Sequence, residues 1–199
     1  MTTTRFFVYG SLSEGMVHFS KIQNFIVSST PSQIRATAYR LKVGFPVLVN
    51  SGADLVSGQL VELKTSDLLI GLLDEFFGYN PQDPAKSLYH RQESLVSVIG
   101  GGLEKAWVYF LNPLKLPLNA MLIHGGDWIR SMEEQPALTA KLSDKQKCYI
   151  SKLGSSSGRD IVPIDLQLYR ELMNLELIVD KGRRLALSKL GHEVYRHLA

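Results

Sequence analysis

The chain is poor in the residues that build staples and metal centres. Its one cysteine, Cys148, has no second thiol to pair with, which excludes an intrachain disulfide. The five histidines (His18, His90, His124, His192 and His197) show neither an H-E-x-x-H helix nor a Cys/His ligand spacing, so no metal site is indicated. Long apolar runs are missing too: Leu68–Leu73 is far too short to span a bilayer. The N-terminus lacks the basic segment and apolar stretch of a secretory leader. No G-x-S-x-G elbow is present, and Gly100-Gly101-Gly102 lies between two strand patterns, where a hairpin turn belongs rather than a phosphate cradle. These absences lead to the expectation of a cytoplasmic protein that uses no cofactor, no metal and no membrane.

What is present suffices for a core. Apolar residues make up 45% of the 199 positions and charged residues 21%, ordinary values for a folded protein of one or two domains. The net charge of +3 is unevenly placed. Residues 1–140 carry 11 Lys and Arg against 12 Asp and Glu; residues 141–199 carry 11 against 7. A modestly basic C-terminal part can attract phosphates or an acidic partner, or be simply a solvated surface.

Periodicity divides the chain in the same way. Arg5–Tyr9 is a β-branched and aromatic run that stops at Gly10. The alternation in Ile34–Leu41 and in Leu55–Leu63 predicts half-buried strands, and Gly58 inside the second marks a bulge or a close backbone approach. Ser66 as a cap and Asp67 in the first turn predict a densely apolar helix over 67–76, ended by Gly78. Glu93–Ile99 and Glu104–Leu111 predict two more strands. Met132–Leu142 is polar, holds Pro136 and has no strand pattern. Beyond it the period is helical: Leu142, Tyr149, Ile150 and Leu153 share one face, and Leu166, Tyr169, Leu172 and Met173 another. Cys148 reads as a small core filler on the first of these helices. Ser155–Gly158 marks a loop. Leu177–Leu187 places two short apolar arms around the tip Lys181-Gly182-Arg183-Arg184, and Ser188 caps a last helix to Leu198, with His192 and His197 on its surface.

Several segments, in order, resemble the gamma-glutamylcyclotransferase-like (AIG2-like) family. They are Tyr9-Gly10-Ser11-Leu12 (its Y-G-S-L loop), Gly44-Phe45-Pro46, Gly58-Gln59-Leu60, Leu73–Tyr79 (its L-D-x-x-E-G-Y helix end), Tyr89-His90-Arg91, Ala106–Tyr109 and Gly126-Asp127-Trp128. The resemblance implies an α+β fold, a small mixed β-barrel flanked by helices over 1–130; the polar stretch without strand pattern that follows is read as a linker at 131–141. It also implies a pocket for a gamma-glutamyl group, held by backbone N–H groups of Tyr9, Gly10, Ser11 and Leu12 and walled by Phe77 and Tyr109. The family reaction closes the substrate into 5-oxoproline, and a glutamate moves the protons. Here the matching position is Phe77, which carries no ionisable group. The carboxylates that could substitute are Glu14, Asp74 and Glu75. At 100° per residue Glu75 sits about 200° from Phe77 and Asp74 about 60°. Arg91 is the natural salt-bridge partner of Asp74. Two readings stay open: a weak or repurposed cyclotransferase, or a degenerate pocket acting as a ligand sensor or interaction module.

Residues 142–199 resemble a shortened winged helix, a small α+β domain. That resemblance implies a recognition-helix position over 165–175, with Gln167, Arg170 and Asn174 exposed, and a wing carrying Lys181, Arg183 and Arg184. Nucleic acid is then one partner and a docked protein another.

Overall fold

The computed structural model describes residues 2–157 and 160–198 and divides the chain into two compact units. The first runs through Leu41 and again over Phe45–Glu134; the second takes Lys42–Gly44 and the chain from Gln135 onward.

In chain order the first unit carries strands β1 (Thr3–Val8), β2 (Ile26–Arg35), β3 (Thr37–Arg40), β4 (Pro46–Val49) and β5 (Leu55–Lys64), helix α1 (Asp67–Phe77), strands β6 (Tyr89–Val98), β7 (Leu103–Leu111) and β8 (Met121–Leu122), and helix α2 (Trp128–Glu134). Strands β1, β5, β2, β6 and β7 close a barrel in that order. Neighbours are antiparallel except β1 on β7, which meet in parallel with Phe6 opposite Trp107. Strands β4, β3 and β8 form a separate three-stranded sheet. The barrel is mixed and helix-flanked, as the family resemblance implies.

The apolar run of β1 follows from burial on both faces. Phe7 packs inward with Ile34, Val56, Leu60, Val96, Val108 and Phe110. Phe6 and Val8 pack outward with Val61, Leu63, Leu69, Leu73 and Tyr109, and so seat α1 on the barrel. Gly58 is the close approach its position in β5 suggests. A Cβ there would lie 2.4 Å from Phe7 Cζ and 2.6 Å from the Val8 carbonyl oxygen. Gly58→Ala should therefore overpack the barrel and cost about 2–3 kcal/mol. A urea denaturation midpoint indistinguishable from wild type would contradict this.

Helix α1 has the ends its sequence requires. Ser66 Oγ accepts from the Leu69 N–H at 3.1 Å, and Gly78 stops the helix in a left-handed conformation at φ +61. The strand read over 34–41 is instead two. The chain leaves the barrel at Ala36, whose N–H bonds the Asp54 carbonyl at 3.1 Å, and joins the small sheet as β3. Most of β2 gave no strand signal, because Ser28, Ser29, Thr30 and Pro31 show no apolar alternation.

The second unit contains helices α3 (Leu138–Lys141), α4 (Asp144–Ser155) and α5 (Leu166–Asn174), strands β9 (Ile178–Asp180) and β10 (Leu185–Leu187), and helix α6 (Lys189–Arg196). The segment read as a linker, 131–141, thus holds the end of α2 and all of α3. Residues 42–44 join this unit because the Leu138 N–H donates to the Val43 carbonyl at 2.9 Å. A Ser143/Gln146 capping box starts α4, which buries Tyr149, Ile150 and Leu153. Cys148 is exposed rather than a core filler: it falls about 140° from Leu153 around the helix. The buried face of α5 runs through Leu168 and Leu172; of the predicted stripe Leu172 is buried, Tyr169 and Met173 are half-buried, and Leu166, 62% exposed, lies off it. Gly158, the end of the predicted serine loop, lies outside the described residues. Strands β9 and β10 pair as an antiparallel hairpin, and Ser188 caps α6 through the Gly191 N–H at 2.9 Å. Among the described residues no helix is long and apolar enough to cross a membrane.

Candidate functional site

After β1 the chain turns sharply. Tyr9 is extended, and Gly10, at φ +62, opens a single 3-10 turn over Gly10–Leu12. Only glycine takes that backbone without strain, and a Cβ there would press Pro46 Cγ at 3.1 Å. Two of the motif segments, Tyr9–Leu12 and Gly44–Pro46, therefore meet. The first N–H groups of such a turn have no acceptor within it, and no side chain caps this one.

The Tyr9 side chain acts as a brace. Its hydroxyl donates to the Tyr109 carbonyl at 3.0 Å and accepts from the Leu48 N–H at 3.3 Å, tying β7 to β4. Burial pushes its ionisation well above the ordinary phenol range, and neighbouring Tyr89 adds to the effect.

The last turn of α1 supplies the opposite wall. The ring of Phe77 lies flat on that of Tyr109, with centroids 4.1 Å apart and planes 11° from parallel. Phe76 and Tyr89 meet the Phe77 ring edge-on at 5.0 and 5.1 Å. Tyr109 has Phe6 parallel to it at 6.2 Å. Between this stack and the turn, a cavity of about 10 Å³ remains, lined by Tyr9, Leu12, Ile22, Leu73, Phe77 and Tyr109, with β1 and Leu63 behind. That is roughly the space one water needs.

Tyr109 also joins an ion pair. Its hydroxyl donates to Asp74 Oδ1 at 2.6 Å, while Arg91 Nη1 reaches Asp74 Oδ2 at 3.1 Å. The Arg91 guanidinium lies over Tyr79 at 5.5 Å and over Trp107 at 5.4 Å. Burial first, then the hydrogen bond and charge of Asp74, push the Tyr109 phenol well up, with Arg91 opposing in part.

A pH dependence follows from both tyrosines. Each is raised in the fold relative to about 10 in an unfolded chain. The stability from keeping them neutral is complete below pH ~10 and is lost as pH climbs from there toward the folded values. Urea midpoints should fall steeply between pH 10 and 11.5, with tyrosinate absorbance from these two rings appearing only as the barrel circular-dichroism signal is lost. Full tyrosine ionisation in a still-folded barrel would contradict the assignment.

The family model described as gamma-glutamyl cyclotransferase, AIG2-like, matches residues 6–130, a span that contains the turn, the aromatic wall and all of the barrel but the start of β1. The chain belongs to that family. Among solved structures, YkqA from Bacillus subtilis is 22% identical at a TM-score of 0.50, over 67% of this chain and 42% of that one. The chain thus matches less than half of the Bacillus protein's length, and the likeness is one of fold. An AIG2-like protein from Mus musculus is 19% identical at a TM-score of 0.43, over 59% and 86% of the two chains. A structure named gamma-glutamyl cyclotransferase is 14% identical at 0.41, over 87% and 99%. No curated protein is similar enough in sequence to stand beside them.

Within this cyclotransferase-type barrel, Tyr9, Leu12, Phe77 and Tyr109 surround one cavity, and Gly10 and Ser11 complete the turn beside it. Asp74 lies behind Tyr109, bound to its hydroxyl and to Arg91. Glu14 and Glu75 are exposed. Ile22 and Leu63 line the cavity without having been singled out by the sequence; they are ordinary apolar positions whose convergence depends on barrel closure. In the sequence Trp107 stands only as part of a motif, and its role as a face for Arg91 depends on the β6–β7 register, which sets Trp107 opposite Glu93. In the second unit Arg170 is exposed on α5, and Lys181, Arg183 and Arg184 are exposed on the turn between β9 and β10. Among the described residues no group of three or more His, Cys, Asp or Glu is placed to hold a metal ion.

Proposed function

We propose that the barrel unit is a non-catalytic member of its family, with the gamma-glutamyl cleft closed by Phe77 and open only to a ligand that displaces that ring. The observation that carries this reading is the Phe77 ring flat on Tyr109, with about 10 Å³ left beside it. A gamma-glutamyl group is far larger than one water and fits only if the ring moves.

The chemistry supports the same reading. In the family reaction the substrate α-amine attacks its own γ-carbonyl, the lactam closes, and an amine leaves. One proton must come off the α-ammonium and one must reach the leaving nitrogen. A phenyl ring at 77 can do neither, and loss of a general acid–base group costs about 10²–10⁴ in rate. The candidate substitutes are badly placed for the task. Both oxygens of Asp74 are engaged by Tyr109 and Arg91, and Glu14 and Glu75 face solvent. What remains is a turn that no side chain caps, beside an aromatic plug, a layout suited to sensing a gamma-glutamyl or related ligand once the ring moves.

The test is 5-oxoproline release by the wild-type protein from a panel of gamma-glutamyl amines and peptides. Release at the level of the protein-free control is the expected result. Turnover above about 1 s⁻¹ on any member of the panel would place the protein among ordinary enzymes and sink the reading.

A further inference from the structure

In the second unit ion pairs and hydrogen bonds engage several of the carboxylates, while exposed cations crowd one hairpin turn. Lys145 pairs with Asp165 at 2.8 Å, and Lys42 pairs with Glu176. Asp160 accepts from the Ser157 N–H and hydroxyl. Glu171 accepts from Gln146 and Gln167, both at 2.9 Å. The carboxylate nearest the hairpin tip in sequence, Asp180, is exposed, with both oxygens engaged: Oδ1 takes the Gly182 N–H at 2.7 Å and Oδ2 the Tyr169 hydroxyl at 3.2 Å. Among the described residues no ion pair involves Lys181, Arg183, Arg184 or Arg170. Three exposed cations without an ion pair among the described residues thus stand, next to the one carboxylate of Asp180, within four residues of a tight turn that is closed by the Lys181 N–H on the Arg184 carbonyl at 2.9 Å.

The Tyr169–Asp180 bond also fixes the hairpin to the middle of α5. On that helix Gln167, Arg170 and Asn174 are exposed at i, i+3 and i+7, one polar stripe. Glu171 is half-buried beside it, with its oxygens engaged by the two glutamines. A tight turn with three cations, coupled to a helix with an Arg/Asn stripe, suits a ligand carrying regularly spaced phosphates. Guanidinium groups bind phosphate bidentately, and a duplex groove accepts a helix or a two-stranded ribbon.

We propose that the second unit binds duplex nucleic acid, with Lys181, Arg183 and Arg184 on backbone phosphates and the exposed stripe of α5 against the adjoining groove. This is independent of the reading of the barrel. Phosphate contacts dominate, so binding is weakly sequence-dependent and falls with salt.

The experiment is fluorescence anisotropy of a labelled 20-base-pair DNA of mixed sequence, titrated with the full chain at several salt concentrations. The expected Kd lies in the range of roughly 10⁻⁶ to 10⁻⁴ M. The combined variant Lys181→Gln, Arg183→Gln, Arg184→Gln should weaken binding more than tenfold and lower the slope of log K against log salt by about 2–3. Its circular dichroism and melting temperature should match wild type, because the three side chains are exposed and carry no contacts of the fold. Lys86→Gln with Lys115→Gln in the first unit should leave binding unchanged. No anisotropy change at 50 mM salt up to ~10⁻⁴ M protein would overturn the proposal, as would full binding by the triple variant. Equal affinity for poly-glutamate would also overturn it, in favour of an acidic protein partner; so would equal affinity for vesicles of anionic phospholipid, in favour of a membrane surface.

Discussion

Phe77→Glu should raise the rate of 5-oxoproline release by about 10²-fold or more over wild type, the lower end of what a general acid–base group contributes. The substitution acts twice. It removes the ring that lies 4.1 Å over Tyr109 and so enlarges the cavity beside Tyr9 and Leu12. It also places a carboxylate at the end of α1, where a bound substrate's ammonium would need a base. Phe77→Gln separates the two effects: it vacates nearly the same space and carries no exchangeable acid, so it should gain ligand affinity without the gain in rate. Equal rates for the Glu and Gln variants would show that proton transfer is not what the wild-type site lacks.

Asp74→Ala should cost the barrel unit about 3 kcal/mol, roughly two powers of ten in its folding constant. The carboxylate is largely buried and holds two groups, the Tyr109 hydroxyl at 2.6 Å and Arg91 at 3.1 Å. Truncation leaves a phenol without its acceptor and a partly buried guanidinium without its anion. The cost is not that of a fully buried pair, because Arg91 keeps some solvent contact and the faces of Tyr79 and Trp107. Tyr109→Phe in the Asp74→Ala background should recover about 1 kcal/mol by removing the orphaned hydroxyl. Urea denaturation of the four combinations gives the coupling directly. A loss below 1 kcal/mol for Asp74→Ala would show that the network is ornamental to stability.

How far the sequence reveals this arrangement depends on the range of the interactions involved. Ser66 and Gly78 set the ends of α1 through local bonds, and both are readable from residue type alone. Gly10 and Gly58 mark two places where the backbone has no room for a side chain. Their partners, Pro46 and Phe7, are distant in sequence and appear only once the barrel closes. The Asp74–Arg91 pair was legible as complementary charge on two motif segments. The Phe77–Tyr109 stack was not: the sequence places a phenyl group where an acid was expected, but whether the ring stands clear of the cleft or fills it depends on packing between α1 and β7. Cys148 and Leu166 went the other way: residue type makes both core candidates, but Cys148 falls about 140° from Leu153 and Leu166 about 200° from Leu168 around their helices. The break at Ala36 escaped because apolar alternation continues unbroken while the strand changes sheets.

The account rests on Phe77 holding the cleft shut. Calorimetric titration of 5-oxoproline, and of a gamma-glutamyl amino acid, into wild type and Phe77→Ala tests this most directly. A ring that must leave Tyr109 before a ligand enters weakens apparent affinity by the fraction of time it is away. Saturable binding by Phe77→Ala at least tenfold tighter than by wild type is the predicted result. Wild-type binding as tight as that of Phe77→Ala would contradict it, since the ring would then be no barrier.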